Sequence, residues 1–453
     1  MSSATNMLIP SVIARSSIII PAAQCYWERA SPSDSIVLMT MCEPPCSTRR
    51  DRNVFRFVTV AVFTTAVTTL CAVATAQVSP TEDQLLAFEG AEGAGRFATG
   101  GRGGAIIMVT SLGDSGPGTL RAAVDADGPR IIRFAVAGTI RLLSPLVIRN
   151  GRITIDGSDA PQLGIALADH GLVVRADDVV IRFVRSRLGR RSGTEGDAIS
   201  IEQGSRIILD HVSASWSVDE TLSVSARYGA NQGIYDVTVQ WSIIAESLRN
   251  GGHSKGEHGY GSLVRGGRGA RFSFHHNLWA HHVQRMPRPG NYAPASEDPE
   301  GPLIEFRSNL FYNWGGSAAG YNADSDSHAT YAFIDNCYIT GPDSQGSHIF
   351  REENPLARSW FQGNSLNGTI PVDQRELVRG LWNPLPDAPD IAPILPDPGP
   401  RACAAVLDTA GASQTRDVVD ARIVGSVRTR SGGIIDSEDD VGGWPDLASE
   451  GSR

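Results

Sequence analysis

Short β-type segments recur along this chain at intervals of roughly 30 residues. They are Val179–Arg187, Arg206–Ser213, Tyr235–Ile244, Arg271–Trp279, Leu303–Tyr312, Thr330–Tyr338 and Arg358–Leu366, separated by stretches rich in Gly, Ser, Asp and Asn. Several share alternating apolar residues that follow an Asn: Asn277-Leu278-Trp279, Asn309-Leu310-Phe311, Asn336-Cys337-Tyr338 and Asn364-Ser365-Leu366. One such unit cannot bury its apolar face alone, whereas a stack makes a continuous interior and leaves open edges only at its two ends. Asn side chains aligned at the bends can hydrogen-bond from coil to coil. The pattern predicts an all-β fold, a right-handed parallel β-helix in which a single chain winds as a solenoid. A β-sandwich would place a strand about every 8–12 residues, too short a period for this chain.

The ends of the solenoid have their own signals. The glycine-rich run at 95–104 leads into a strand at Ala105–Thr110 and lacks the Gly-Lys-Ser/Thr ending of a phosphate loop, so it reads as turns. Thr119 is placed to cap a short helix that plugs the exposed end of the core. After Leu366 the pattern fades into a proline-rich stretch, Leu381–Pro400, expected to run extended over the solenoid surface, and a packing tail at Arg416–Pro445. The expected divisions are a solenoid domain at 77–375 and, at 376–453, a linker with an extended C-terminal tail.

At the N-terminus, Arg49-Arg50-Asp51-Arg52, the apolar stretch Phe55–Val73 and Ala74-Thr75-Ala76 follow the order of a secretory signal. The signal is expected at 49–76, with a mature start near Gln77 and no membrane anchor in the mature form. Residues 1–48 read as a leader or an over-extended start, with Met39 or Met41 the better initiator. Such a protein is expected to be secreted, extracellular or periplasmic, and to act as a monomer. Of six cysteines, Cys337 and Cys403 lie beyond the leader, and export leaves them free to pair.

Three groups of residues carry the chemistry. The first is Glu195-Gly196-Asp197-Ala198-Ile199, the second Asp210-His211 followed by Asp219-Glu220, the third Arg285-Met286-Pro287-Arg288. Proline fixes φ and holds the two guanidinium groups close, a rigid cationic corner suited to a polyanionic ligand. The formal charge of −9 argues against a nucleic-acid binder and requires that any polyanion be held by a local arginine cluster or a bridging divalent cation. In a solenoid, residues one coil apart are neighbours at about 4.8 Å. Asp197 can therefore meet Asp219 and Glu220, and like charges so close call for a cation between them. Carboxylate oxygens without cysteine suit Ca²⁺ better than Zn²⁺. The group His275, His276, His281, His282 suggests zinc at first sight, but adjacent residues on a strand point to opposite faces, which argues against it. Asp210 and His211 read as structural, with the imidazole stacked or hydrogen-bonded between coils.

Gly196-Asp197-Ala198-Ile199, Asp210-His211, Asp219-Glu220 and Arg285-Met286-Pro287-Arg288, in that order over most of 90–370, resemble the motifs of family 1 polysaccharide lyases, the pectate lyases. The glycine-rich entry and the closing Asp439-Asp440-Val441-Gly442-Gly443-Trp444-Pro445 resemble the same group. The resemblance implies a Ca²⁺-dependent enzyme that cleaves polygalacturonate, an acidic plant cell-wall polysaccharide, by β-elimination. It makes Asp197 and Asp219 metal ligands, and Glu195 and Glu220 beside them are further expected metal ligands. It makes Arg285 the base that removes the C5 proton and Arg288 a substrate-carboxylate contact. Lys255 or His258, in His253-Ser254-Lys255-Gly256-Glu257-His258, is a further expected substrate contact. Two positions depart from the family pattern: Ser223 stands where a second acid is frequent, and Gly290 where a further arginine is frequent.

Two other readings compete. A β-helix glycoside hydrolase of the polygalacturonase type needs close carboxylates, one of them acting as acid, and should show adjacent Asp-Asp. A non-catalytic carbohydrate-binding solenoid needs no Arg-Met-Pro-Arg corner.

Overall fold

A computed structural model describes residues 84–226 and 233–448. The expected leader at 1–48 and signal at 49–76 lie outside the described residues. The described chain is a parallel β-solenoid with three faces. One face runs from Ala105–Val109 through Ile199–Asp210 to Ala357–Gln362 as ten parallel strands. A second runs from Gly138–Arg141 to Ser365–Leu366 as nine. The third is built from Leu146–Ile148, Leu172–Arg175, the start of Ile199–Asp210, Leu222–Ser225, Leu263–Gly266 and Arg288–Asn291. It is continued by Ala318–Asn322, His348–Glu352 and Val378–Gly380, so strand pairing persists past the boundary expected at 375.

Each segment that reads in sequence as one strand is two strands around a sharp corner. At the corners Phe183, His211, Trp241, His276, Ser308 and Asp335 all have φ between 49° and 55°. A left-handed conformation costs a non-glycine residue about 1–2 kcal/mol, so the stack must compensate at every coil. Part of the compensation is an amide ladder. Asn277, Asn309, Asn336 and Asn364 each donate from Nδ2 to the next side-chain oxygen, the last to Gln374 Oε1, at 2.9–3.1 Å. The same Nδ2 groups donate to backbone carbonyls such as Val239 O and Phe274 O. Inside the first face, Phe274, Phe306, Phe333 and Phe361 stack ring on ring at 5.4, 4.9 and 4.8 Å.

The N-terminal end is closed as the sequence indicates. Helix α1 (Leu120–Asp125) buries Leu120, Ala123 and Val124, and its N-cap Thr119 accepts from Ala122 N. The glycine run lies backbone against backbone. A Cβ on Gly101 would sit 1.8 Å from Arg130 O, so no side chain fits there. Residues 381–398 are extended and cross the solenoid, with Pro393 O accepting from Gly93 N and Asp397 O from Ser308 Oγ. After them the tail is helical, α2 (Gly399–Thr409) and α3 (Val418–Thr429), where the sequence led us to expect extended packing. Val419, Ile423, Val424 and Val427 form the buried stripe of α3 against the second face. A disulfide joins Cys337 to Cys403. Beneath α3, fully buried Arg187 donates to Asp417 at 2.6 and 3.0 Å and to Asp420 at 2.9 Å. Among the described residues no helix is long and apolar enough to cross a membrane.

Two tests follow from this packing. Asn309→Ala leaves buried amide and carbonyl partners unmatched and should cost about 3 kcal/mol in urea unfolding; wild-type stability would contradict a structural ladder. Burial alone would raise the Asp417 carboxyl, but Arg187 and Arg185 pull it down to about 2. Its folded pKa is depressed, so its stabilisation is present above the unfolded value near 3.8 and is lost as pH falls toward 2. The stability gap between wild type and Asp417→Asn should be about 2 kcal/mol at neutral pH and close below pH 4; a gap independent of pH would contradict the pairing.

Candidate active site

The turns that enter the third face carry the acids and the arginines on successive coils. Ile199 pairs with Leu222, which aligns Asp197 with Glu220 two residues earlier. Glu220 bridges to Tyr260, and Tyr260 to Gln284, beside Arg285. Backbone bonds fix the steps: Glu220 N donates to Asp197 Oδ1 at 3.2 Å, Gly261 N to Gln284 O at 3.0 Å and Ser262 N to Arg285 O at 2.7 Å. Asp197 and Arg285, far apart in sequence, thus come within three coils of each other.

The structure brings Asp197, Asp219 and Glu220 together, with one carboxylate oxygen from each inside a 4.8 Å span. Glu220 is buried, while the two aspartates keep partial access to solvent. Arg285 Nη1 pairs with Glu220 Oε1. The Arg285 guanidinium lies over the Tyr260 ring at 4.0 Å, and its Nε donates to Tyr321 Oη at 3.4 Å. Arg288 lies over the Tyr321 ring at 5.4 Å and donates to Asp324 at 3.3 Å, so both arginines converge on Tyr321. Burial raises the Tyr260 phenol, which keeps it neutral beneath the guanidinium.

Glu195 stands apart from that group. Its carboxylate accepts from Ser254 N and Ser254 Oγ, each at 2.8 Å, bonds that hold its pKa below the usual value. Lys255 is exposed at a turn, and its N–H donates to His253 Nδ1 at 3.0 Å. His258, expected at the substrate, is buried behind Asp219 instead, with Nε2 3.1 Å from Asp219 Oδ1 and its ring stacked on His253 at 3.7 Å. Asp219, His253 and His258 form a second convergent group. It does not suit a metal, because the Lys255 N–H occupies the Nδ1 lone pair of His253 and leaves Nε2 as a donor. The Nδ1 of His258 donates to Glu257 O at 3.2 Å and leaves its Nε2 able to ligate, but without His253 the group keeps only two ligands. The group able to hold a cation is the carboxylate one, and its all-oxygen donors fit a hard ion such as Ca²⁺.

The departures noted in sequence have physical content. Ser223 is buried and its Oγ accepts from Leu263 N at 3.4 Å, a packing role. A Cβ on Gly290 would meet Asp324 Oδ2 at 2.3 Å, so Asp324, paired with Arg265 and Arg288, fills the space an arginine there would need. His211 stacks between Phe183 at 4.8 Å and Trp241 at 6.1 Å, and Asp210 binds Arg182, both structural as expected. His275 and His276 do not diverge as expected, because His276 sits at a left-handed corner and their Nδ1 atoms lie 2.9 Å apart. Among the described residues they belong to no convergent ligand group. Tyr260, Tyr321, Arg265 and Asp324 were not singled out by sequence. Tyr260 closes the very segment that carries Lys255 and His258, whereas nothing local marks the other three.

No family model matches the chain. Probable pectate lyase C of Aspergillus flavus is 34% identical over 381 residues, covering 80% of this chain and 82% of its own length. The protein of that name from Emericella nidulans is 35% identical over 377 residues, covering 80% and 81%. The chain belongs to the pectate lyase family. The family is one of polysaccharide lyases, and the readings as a hydrolase or as a non-catalytic solenoid fall away. The fold agrees: a pectate lyase studied for substrate specificity and anti β-elimination matches with TM-score 0.54 at 14% identity, over 74% of this chain and all (100%) of that one. A pectate lyase bound to a hexasaccharide matches with TM-score 0.53 at 14% identity, over 75% and 100%.

Asp219 belongs to both convergent groups, so it gives the sharpest test of a cation site in this pectate lyase family member. Ca²⁺ at about a hundredfold its Kd should stabilise the wild type by about 2.7 kcal/mol, read as a rise in Tm, and Asp219→Asn should abolish the rise. Equal shifts in both proteins would exclude this site.

Proposed function

We propose that this chain is a secreted, Ca²⁺-dependent pectate lyase that cleaves polygalacturonate by β-elimination, with Arg285 as the base at C5. The observation that carries the reading is the contact between Glu220 and Arg285, which joins a convergent carboxylate group to an arginine corner on one face. Asp197, Asp219 and Glu220 are the residues that would hold the ion. Bound Ca²⁺ would neutralise the uronate carboxylate and stabilise the enolate-like charge that develops at C5.

The remaining work falls to the chain's own side chains. Arg288, oriented by Asp324 and Tyr321, is placed to pair with a uronate carboxylate. Arg285 takes the C5 proton, the freed electron pair forms the C4–C5 double bond, and the C4–O glycosidic bond breaks with the electrons leaving on oxygen. A guanidinium must give up its own proton before it can accept that one. Turnover should therefore rise as pH is raised. Export rests on the basic, apolar and Ala-x-Ala order of 49–76.

The test is the ultraviolet absorbance of unsaturated uronate ends on polygalacturonate, with and without EDTA. Wild type should give a rise that EDTA abolishes. Arg285→Ala should lower kcat by about a hundred- to ten-thousand-fold with folding unchanged by circular dichroism. Reducing ends without absorbance, or normal turnover by Arg285→Ala, would overturn the mechanism.

A further inference from the structure

Beyond the Arg285 and Arg288 corner, the third face carries further arginines in register. Tyr321 pairs with Arg351, and Arg351 with Arg379, on Ala318–Asn322, His348–Glu352 and Val378–Gly380. The neighbouring column, Gly320, Phe350 and Val378, points into the core, where Phe350 and Val378 are buried. Side chains alternate along a strand, so Tyr321, Arg351 and Arg379 share the outward side. Arg379 is exposed and the Arg351 side chain is 32% exposed.

Tyr321 joins this column to the site. Its ring has Arg288 at 5.4 Å and Arg351 at 5.2 Å, and its hydroxyl accepts from Arg285. Two acids beside this column are already engaged. Asp324 pairs with Arg265 and Arg288, and half-exposed Glu353 lies 3.5 Å from Arg351. Coils repeat at about 4.8 Å, so the column reaches roughly 15 Å past Arg288. That pitch is comparable with the rise of one pyranose in an extended polymer, so Arg351 and Arg379, on successive coils, are spaced for successive sugars, with Tyr321 on the coil between them and Arg288.

We propose that Arg351 and Arg379, linked to the site through Tyr321, form a track for consecutive free carboxylates of the polyuronate chain. It makes the protein hold a long run of carboxylates more tightly than a short one. The inference deepens the lyase reading and rests on it for the substrate class.

Steady-state kinetics of wild type and R351A/R379A on long polygalacturonate and on trigalacturonate provide the test. On the polymer the double variant should raise KM about tenfold with kcat within about twofold, and flatten the dependence of KM on salt. On the trimer KM should change by less than about twofold. An unchanged polymer KM and salt dependence overturns the track, as does an equal rise on the trimer. Should wild type cleave nothing, the lyase reading fails, and retardation in a native gel containing polygalacturonate then decides the track. Stronger retardation of wild type than of R351A/R379A supports it, and equal migration overturns it.

Discussion

In-register stacking of parallel coils is the constraint from which the rest of this molecule derives. A strand bonded to its counterpart in the next coil sits about 4.8 Å from it, with the same side-chain parity. Where the same residue type recurs at one position, like therefore stacks on like: amide on amide from Asn277 to Gln374, ring on ring from Phe274 to Phe361. Those ladders lie beside the left-handed corners at His276, Ser308 and Asp335, and ring stacking joins the earlier corners at Phe183, His211, Trp241 and His276, where each such residue costs energy. They also hold the third face straight enough for side chains far apart in sequence to act together.

On that face the same rule works against like charges. Asp197 and Glu220 stack because their coils stack, and Asp219 lies beside them. Three carboxylates this close need positive charge, and Arg285 on Glu220 supplies some of it. The protein as a whole is acidic, yet Arg265, Arg285, Arg288 and Arg351 gather around Tyr260, Tyr321 and Asp324. A local cationic corner beside a carboxylate group is what separates this surface from the rest of a net-negative molecule. Elsewhere the chain resolves buried charge internally, as where Arg187 meets Asp417 and Asp420 beneath α3.

Much of this was legible in sequence because period and register are sequence properties. The repeat near 30 residues, the Asn at the later corners and the Thr119 cap all correspond to what forms. The corners themselves were not legible, since non-glycine residues in the left-handed region carry no local signal, and the same blindness made His275 and His276 look divergent. Helix α3 was available from its Asp417 N-cap and apolar stripe, but a proline-rich approach disguised it. Asp197, Asp219, Glu220 and Arg285 could be put on one face from coil arithmetic. The place of His258 behind Asp219, the engagement of Glu195 by Ser254, and the hub at Tyr321 depend on side-chain rotamers and long connections that no spacing encodes.

A crystal of the Arg285→Lys protein soaked with Ca²⁺ and an oligogalacturonate tests the central claim most directly. Cation density bounded by Asp197, Asp219 and Glu220, with the C5 atom of one sugar facing the side chain at position 285, is the predicted result. A cation held elsewhere, or a sugar chain bound on another face with the substituted side chain remote from C5, would contradict it.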